Sequence, residues 1–267
     1  MKTEITASAI AWDIRRVVYL RDLVSELVVR DFKLRYNRSV LGIAWSLLVP
    51  LAQLGTLSFV FRVIVPINVP NYTMFLFAGL LPWTWFSSSL LASVIAARSN
   101  RDLIQQAGFP VSILPVIAVA SELVHMVLAL PILLFFLWFD RQPLSIAFVA
   151  LPMVACLQFA FTLGLAYFVA PLQAIFHDTE HLLRIALMLL FYVSAVFYDP
   201  ASVPNEYKVF YDFNPIVFML SAYRLILLEG KFPELLPFLA WSVLSTVLIV
   251  VGYRFYMRLH YRFIQEM

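Results

Sequence analysis

Charge-free stretches long enough to cross a bilayer recur along this chain, and they constrain its fold before any other feature does. A spanning helix needs about 20 mostly apolar residues to cross ~30 Å of hydrocarbon. Residues 39–61 hold 23 positions without a charge, interrupted only by Pro50. Residues 63–97 hold 35, but Pro66-Ile67-Asn68-Val69-Pro70-Asn71 breaks that run, so the second span covers 72–97. A third covers 112–139, with Glu122 and His125 inside it, and a fourth covers 143–170. The fifth is short: residues 185–198 number 14 and need part of 179–184 to complete a crossing. Residues 235–253 supply a sixth span of 19. Only 13% of the chain is charged and 63% is hydrophobic, against roughly 25% and 45–50% in a soluble domain. A water-soluble fold is excluded.

Between the fifth and sixth spans, residues 199–233 are too apolar for a plain loop, yet carry prolines at 200, 204, 215 and 233. The uncharged stretch 213–223 is too short to cross as a helix, so the expectation is a re-entrant or interfacial element packed on protein. The expected fold class is an all-α membrane protein with six transmembrane helices, an N-terminal amphipathic helix and re-entrant helices between spans five and six. The first charge-poor run begins well past any secretory h-region, so no cleaved signal peptide is expected. Cys156, the single cysteine, excludes an internal disulfide framework. The net charge of +3 is too small to suggest nucleic-acid binding.

Lys and Arg set the expected orientation. The N-terminal segment, the loops after spans two and four and the C-terminal tail together hold 14, whereas Arg62, Arg141, Lys208, Arg224 and Lys231 make 5 on the other side. Both termini are therefore expected in the cytoplasm.

Residues 18–38 read as an amphipathic helix before the first span. Leu20, Val24, Val28 and Phe32 recur at i+4 steps on one face, and Asp22, Glu26, Arg30 and Lys33 lie on the other. Such a helix lies in the interface with its arginines near anionic headgroups. It is either a plain anchor or a collar that also touches a cytoplasmic partner. In residues 99–110, Ser99 and Asp102 have capping-box spacing, while Gly108 and Pro110 form a stop signal. The expectation is a helix of about two turns, unstable alone and so held by the membrane surface or a docked partner. A weaker docking candidate is Phe176-His177-Asp178-Thr179-Glu180-His181-Leu182.

His177 and His181 at i, i+4 have a spacing a metal could use, but no further ligand cluster accompanies them, and a solvated docking face is the better reading. Glu122 and His125 form an intramembrane pair, a functional-site hypothesis by default. A helix-to-helix hydrogen bond is favoured there. Aromatic residues are expected at the outer ends of spans: Trp83, Trp85 and Phe86 after Pro82, and Phe191, Tyr192, Phe197 and Tyr198 before Pro200. They fit either an interfacial belt or a stacking track for sugar rings.

No catalytic inventory emerges. The one Gly-Lys pair, Gly230-Lys231, has no glycine five positions earlier, so a phosphate-binding loop is excluded. A Gly-x-Ser-x-Gly elbow and a His-Glu-x-x-His helix are likewise missing from the sequence.

Taken together, the segments resemble the membrane subunits of bacterial ABC-2-type polysaccharide exporters. That family opens with Arg-Asp-x-Lys-x-Arg-Tyr and Ser-x-Leu-Gly-x-x-Trp. This chain reads Arg30-Asp31-Phe32-Lys33-Leu34-Arg35-Tyr36, then Ser39-Val40-Leu41-Gly42-Ile43-Ala44-Trp45, with Val49-Pro50 following. Gly79-Leu80-Leu81-Pro82-Trp83 matches Gly-Leu-x-Pro-Trp, and Asp102-Leu103-Ile104 through Phe109-Pro110 matches the loop motif, ending in Leu114-Pro115. Phe176-His177-Asp178, Phe197-Tyr198, Val203-Pro204, Asn214-Pro215 and Arg224 follow in the family's order. Gln105 and Gln106 stand where the family often has lysines, and Ala195-Val196 replaces Pro-Ile.

The resemblance implies a single transmembrane domain over 1–267. Its parts would be an interface helix at 18–38 (Arg30, Asp31, Lys33, Arg35, Tyr36), a coupling helix at 99–110 and an outer gate region at 199–233. Coupling to an ATPase would fall on Ser99, Asp102, Leu103, Ile104, Phe109, Pro110, Phe176 and Asp178. The substrate path and gate would use Trp83, Trp85, Phe86, Tyr192, Phe197, Tyr198 and Arg224. It further implies a homodimer in the bacterial cytoplasmic membrane, paired with two ATP-binding cassette subunits that hold ATP and Mg. This chain would carry no cofactor, no metal and no catalytic residue. The cargo would be a lipid-linked O-antigen, capsule or teichoic-acid polymer. The competing readings are a membrane enzyme acting on polyprenyl-linked sugars, with Asp199, Glu206 and Asp212 as its acids, and a small-molecule exporter of the same class.

Overall fold

The computed structural model describes residues 2–36, 41–42, 44–67, 69–106, 108–139 and 145–265, and among them every regular element is helical. Helix α1 runs from Lys2–Tyr36, longer than the amphipathic stripe predicts, because no glycine or proline interrupts residues 2–36. Leu20, Val24 and Val28 are half-buried against the core and Leu27 beside them is buried, while Asp22, Glu26 and Lys33 are exposed.

Helix α2 (Ala44–Phe59) passes through Pro50 and continues as a π-helical turn over Val60–Ile64. It therefore runs beyond the expected end at residue 61; Arg62 does not stop it, because its guanidinium reaches Thr73 Oγ1 at 3.2 Å. Helix α3 (Tyr72–Ser99) follows Asn71, whose φ of 48° makes the corner. After the single turn of α4 (Arg101–Ile104), the chain enters α5 (Leu114–Phe139) through a 3-10 turn at Val111–Ile113. Helix α6 (Leu151–Ile175) has a similar 3-10 entry over Ile146–Ala150. Then come α7 (Thr179–Val193), α8 (Asn205–Asp212), α9 (Pro215–Arg224) with a π turn at Leu225–Glu229, and α10 (Leu235–Gln265).

Five of these helical segments are long and apolar enough to cross a membrane: Ala44–Ile64, Tyr72–Ser99, Val111–Phe139, Ile146–Ile175 and Leu235–Leu259. This is a multi-pass membrane architecture. The expected fifth span is not among them. Helix α7 has 15 residues, roughly 22 Å at 1.5 Å per residue, short of the ~30 Å hydrocarbon core. It stops at Val193 because Ala195 adopts a left-handed φ of 52°, a conformation that breaks a helix. The region expected to be re-entrant is a pair of short helices, α8 and α9, each opened by a proline-bearing corner.

Helix α3 forms the centre, apolar on all sides from Phe75 to Phe86 and buried on all of them except at Thr84. Helices α5 and α6 flank it. Helix α10 runs parallel to α6 and crosses it at two glycines: a Cβ on Gly164 would lie 2.8 Å from Leu248 Cβ, and one on Gly252 would lie 2.7 Å from the Gly164 carbonyl. Small residues at such crossings let two membrane helices approach closely. Two polar side chains at depth bond to backbone: Gln158 Nε2 donates to the Pro82 carbonyl at 2.8 Å, and Trp85 Nε1 to Val119 at 3.1 Å.

Candidate functional site

Helix α1 is fastened to the bundle by two arginines on the stretch the sequence marked as an interface helix. Arg30 Nη2 donates to Asn100 Oδ1, and Asn100 Nδ2 in turn donates to the Ala96 carbonyl at 2.8 Å. Five residues on, Arg35 Nη2 donates to Glu122 Oε1 at 2.7 Å and Nη1 lies 3.1 Å from His125 Nε2. The Phe32 ring stacks on His125 at 5.6 Å. The Glu122 side chain is only 8% exposed, and a buried carboxylate at this depth requires such a cation. Glu122 and His125 thus form the helix-to-helix link favoured from sequence. Arg30, assigned to the solvated face, turns inward. Asp31 is half-buried and Lys33 exposed; Tyr36 ends the helix, and its side chain lies outside the described residues, as do Arg38 and Ser39.

The loop at 99–110 differs from expectation. Ser99 is the last residue of α3 and does not cap; Asn100 occupies the N-cap position without a side-chain cap bond. The helix is one turn of four residues rather than about two turns. The reason is geometric: Asn100 spends its amide on Ala96 and Arg30, which fixes the corner one residue later than a Ser99 cap requires. Leu103, Ile104 and Phe109 pack against the core, Pro110 is half-buried, and Arg101, Asp102, Gln105 and Gln106 are exposed. Gly108, with φ of 84°, turns the chain back. Its far end is held by Tyr256 and Tyr167, which donate to the carbonyls of Val111 and Ser112 at 3.1 Å each.

The turn between α6 and α7 stands at the same end of the bundle, because α3 and α6 run parallel. Pro82 meets Gln158 and Phe86 stacks on Phe161, an offset kept along both helices. Phe176, His177 and Asp178 are exposed, and Gln173 ties the turn by bonding the His177 carbonyl and the Glu180 amide. Asp178 is the N-cap residue of α7 without a side-chain cap bond. Among the described residues, no three His, Cys, Asp or Glu side chains gather where a metal ion could sit.

At the opposite end lies a knot around Arg224. Its Nε, Nη1 and Nη2 donate to the carbonyls of Phe75, Ala195 and Val196 at 3.2, 2.9 and 2.6 Å. Phe197 stacks on Phe61 and Phe191 at 5.2 and 5.7 Å, and its carbonyl accepts from Tyr72 at 2.8 Å. Tyr198 donates to the Tyr192 carbonyl at 2.9 Å and meets the Tyr211 hydroxyl at 2.6 Å. A cavity of about 510 Å³ opens beside the knot, lined by Asn71, Phe75, Asp199, Phe218, Arg224 and Glu234 among others. Trp83, Trp85 and Phe86 are not part of this end. They lie midway along α3 and are buried in the core, with Trp83 packed on Phe86 and Phe191. Their expected place at the outer end of a span is corrected: an all-apolar helix gives no periodic sign of depth or of lipid-facing sides.

The family profile described as "ABC-2 type transporter" matches residues 22–228. This chain belongs to the ABC-2 type transporter family. The matched region takes in both arginine anchors of α1, the Asn100 corner, Glu122 and the Arg224 knot. Among known proteins, the O-antigen export system permease RfbA of Klebsiella pneumoniae is 31% identical over 92% of this chain and 95% of the relative. RfbA of Myxococcus xanthus is 33% identical over 88% of this chain and 92% of its own length. The polysialic acid transport protein KpsM of Escherichia coli is 25% identical over 85% of this chain and 90% of its own.

Several residues that organise this ABC-2 chain carry no sequence signal of their own. Asn100 sits between Ser99 and Arg101 as an unremarkable loop residue, yet it joins α1 to the α3–α4 corner. Tyr211 stands in a polar helix with nothing to announce its bond to Tyr198. Gly79 was visible as part of a motif, but its partner was not: the Arg224 guanidinium occupies the space a side chain would need.

Proposed function

We propose that this chain is the membrane permease of an ATP-driven exporter carrying a lipid-linked polysaccharide across the bacterial cytoplasmic membrane. The observation that carries the reading is its similarity, along nearly its whole length, to two O-antigen export permeases and more distantly to a polysialic acid transporter. O-antigen, capsule and teichoic-acid polymers are the cargo class.

In this reading the chain crosses six times. Helix α7 and the irregular 194–199 stretch complete the fifth crossing, and α8 and α9 form the outer re-entrant gate. Both termini face the cytoplasm, following the excess of Lys and Arg on that side. Two copies pair, and two ATP-binding subunits dock on them, supplying ATP and Mg; this chain provides no ATP site. Docking falls on the exposed residues Arg101, Asp102 and Gln105 together with Phe176 and Asp178, which the parallel run of α3 and α6 brings to one end. Leu103, Ile104, Phe109 and Pro110 brace that surface from behind, and Ser99 ends the helix that carries it.

Nucleotide-driven closure of the ATPases then moves the α4 corner. The Arg30–Asn100 and Arg35–Glu122 bonds pass that motion to α1, and α3 passes it to the Arg224 knot, where Tyr192, Phe197 and Tyr198 face the exit. Trp83, Trp85 and Phe86 serve this path by stiffening α3.

Purification of the chain in detergent together with the ATPase encoded beside it tests the reading. Stable co-purification, with ATP hydrolysis altered by the chain, is expected. A chain that purifies alone and leaves hydrolysis unchanged overturns it and returns attention to a membrane enzyme using Asp199, Glu206 and Asp212.

A further inference from the structure

The inward face of α1 changes character along its length. Leu27 and Val28 pack on the bundle, but one to three turns earlier the same side presents Arg16, Val17, Leu20, Arg21 and Val24. There Leu20 and Val24 still touch the core, and beside them α1 lines a groove of about 670 Å³, within the ~300–1,000 Å³ typical of small-molecule sites. Its opposite wall is Gly108, Pro110, Ser112, Ile113, Val116, Tyr167 and Tyr253. Ser112, Ile113 and Val116 open one apolar span, Tyr167 and Tyr253 lie in the last third of two others, and Gly108 and Pro110 precede the first, so the groove lies where hydrocarbon gives way to headgroups.

Its chemistry is two-part. Leu20, Val24, Ile113 and Val116 make an apolar floor. Arg16, Arg21, Tyr19 and Tyr253 make a polar rim with two cations, and no described lining residue is acidic. Asp22 next door bonds Arg21 at 2.8 Å and holds its guanidinium in place at the surface. Among the residues from 15 onward whose side chains the structure describes, Arg16 has no ion-pair partner. Arginines beside an apolar slot at headgroup depth suit a ligand with a phosphate at one end and an acyl chain at the other.

We propose that this groove binds one anionic phospholipid, its phosphate between Arg16 and Arg21 and one acyl chain along Val24, Ile113 and Val116. The bound lipid fills the space between α1 and the Gly108–Pro110 turn that ends the α4 loop. It therefore supports the α1-to-loop contact that Arg30 and Asn100 complete on the other side. The inference rests on α5, α6 and α10 spanning the membrane and not on the export reading, so lipid binding and transport are tested separately.

The test is native mass spectrometry of the full chain in detergent, titrated with phosphatidylglycerol, phosphatidylcholine or inorganic phosphate. One phosphatidylglycerol is expected to remain bound under conditions that strip phosphatidylcholine, with millimolar phosphate failing to displace it. At about 1 kcal/mol per basic residue, the Arg16→Gln/Arg21→Gln variant lowers affinity roughly thirtyfold, while Arg16→Lys/Arg21→Lys retains most of it. Val116→Trp, which fills the floor and leaves the charges, also loses the lipid, and it decides the matter where the double glutamine variant fails to fold. Equal retention of both lipids, displacement by inorganic phosphate, unchanged binding in these variants, or replacement of phosphatidylglycerol by an equimolar polyprenyl diphosphate each overturns the proposal.

Discussion

The Arg224 guanidinium lies 3.7 Å over the Phe75 ring. A ring face is a favourable neighbour for a desolvated cation, and here it is combined with three carbonyl acceptors that bond the charge, while Asp199 lines the same cavity. One side chain thereby joins α9, the N-terminal end of α3 and the left-handed turn at Ala195. The arrangement depends on Gly79: an added Cβ would stand 3.0 Å from Arg224 Cζ and closer still to Nη2.

Two variants test that knot together. Arg224→Met removes three donors and leaves buried carbonyls without partners, at a cost of about 3 kcal/mol. Gly79→Ala displaces the guanidinium by overpacking and costs about 1–3 kcal/mol. Because both act on one contact, the double variant should be less destabilised than the sum of the two. Thermal unfolding in detergent measures all three, and strict additivity would show that Gly79 matters for another reason.

The Arg35–Glu122 bond makes a second, asymmetric prediction. Arg35→Ala strands a buried carboxylate and should cost about 2 kcal/mol, below the range for a fully buried pair because the arginine side chain is 40% exposed. Glu122→Gln keeps an acceptor for Arg35 and should cost no more than about 1 kcal/mol. Unfolding midpoints that fall equally in the two variants would argue against a buried carboxylate as the sensitive partner.

Much of this architecture was legible because its signal is long and one-dimensional. Four of the six expected spans coincide with the helices α2, α3, α5 and α6 to within a few residues to about a turn and a half, and the sixth is the start of α10. The failures come from facts that spacing cannot carry. Ser99 and Asp102 have the capping spacing, but Asn100 ends up at the corner because Arg30, distant in sequence, donates to its side-chain Oδ1. Residues 185–198, with part of 179–184, read as a short span; α7 covers 179–193 of it, and what spacing does not carry is the turn at Ala195 that ends the helix, whose carbonyl is held by Arg224 on another helix. Trp83 and Trp85 looked like belt residues because tryptophan favours headgroup level, yet a fully apolar helix does not reveal which residues face lipid and which face the bundle. Of the site, the motifs placed the residues in the right order, while the pairings among them needed the fold.

Burial within the α4 loop decides which of its residues can test coupling. Leu103 packs on the core, so Leu103→Asp would loosen the loop as well as any docked surface. The exposed pair Arg101 and Asp102 is the cleaner target. Charge reversal with Arg101→Glu/Asp102→Arg should reduce permease-dependent change in ATP hydrolysis several-fold while membrane insertion and thermal stability hold. Unaltered coupling would remove the one-turn helix from the docking surface and leave Phe176 and Asp178 as the contact.

The buried Trp83 and the half-buried Tyr198 should separate in an export assay. Trp83 fills core space against Phe86 and Phe191, so Trp83→Ala should destabilise by about 3–5 kcal/mol and lose export through lost protein. Tyr198 is half-buried, and its hydroxyl alone links the Tyr192 carbonyl to Tyr211 on α8. Tyr198→Phe keeps the ring and breaks that link, at about 1 kcal/mol, so the protein should assemble normally while α8 is freed from the turn. Export measured in cells at matched protein levels should change in Tyr198→Phe if α8 must open and close against this tyrosine. Tyr211→Phe should reproduce the effect, since it removes the other half of the same bond. Normal export in both variants would assign the hydroxyl pair to packing and remove Tyr198 and Tyr211 from the proposed gate.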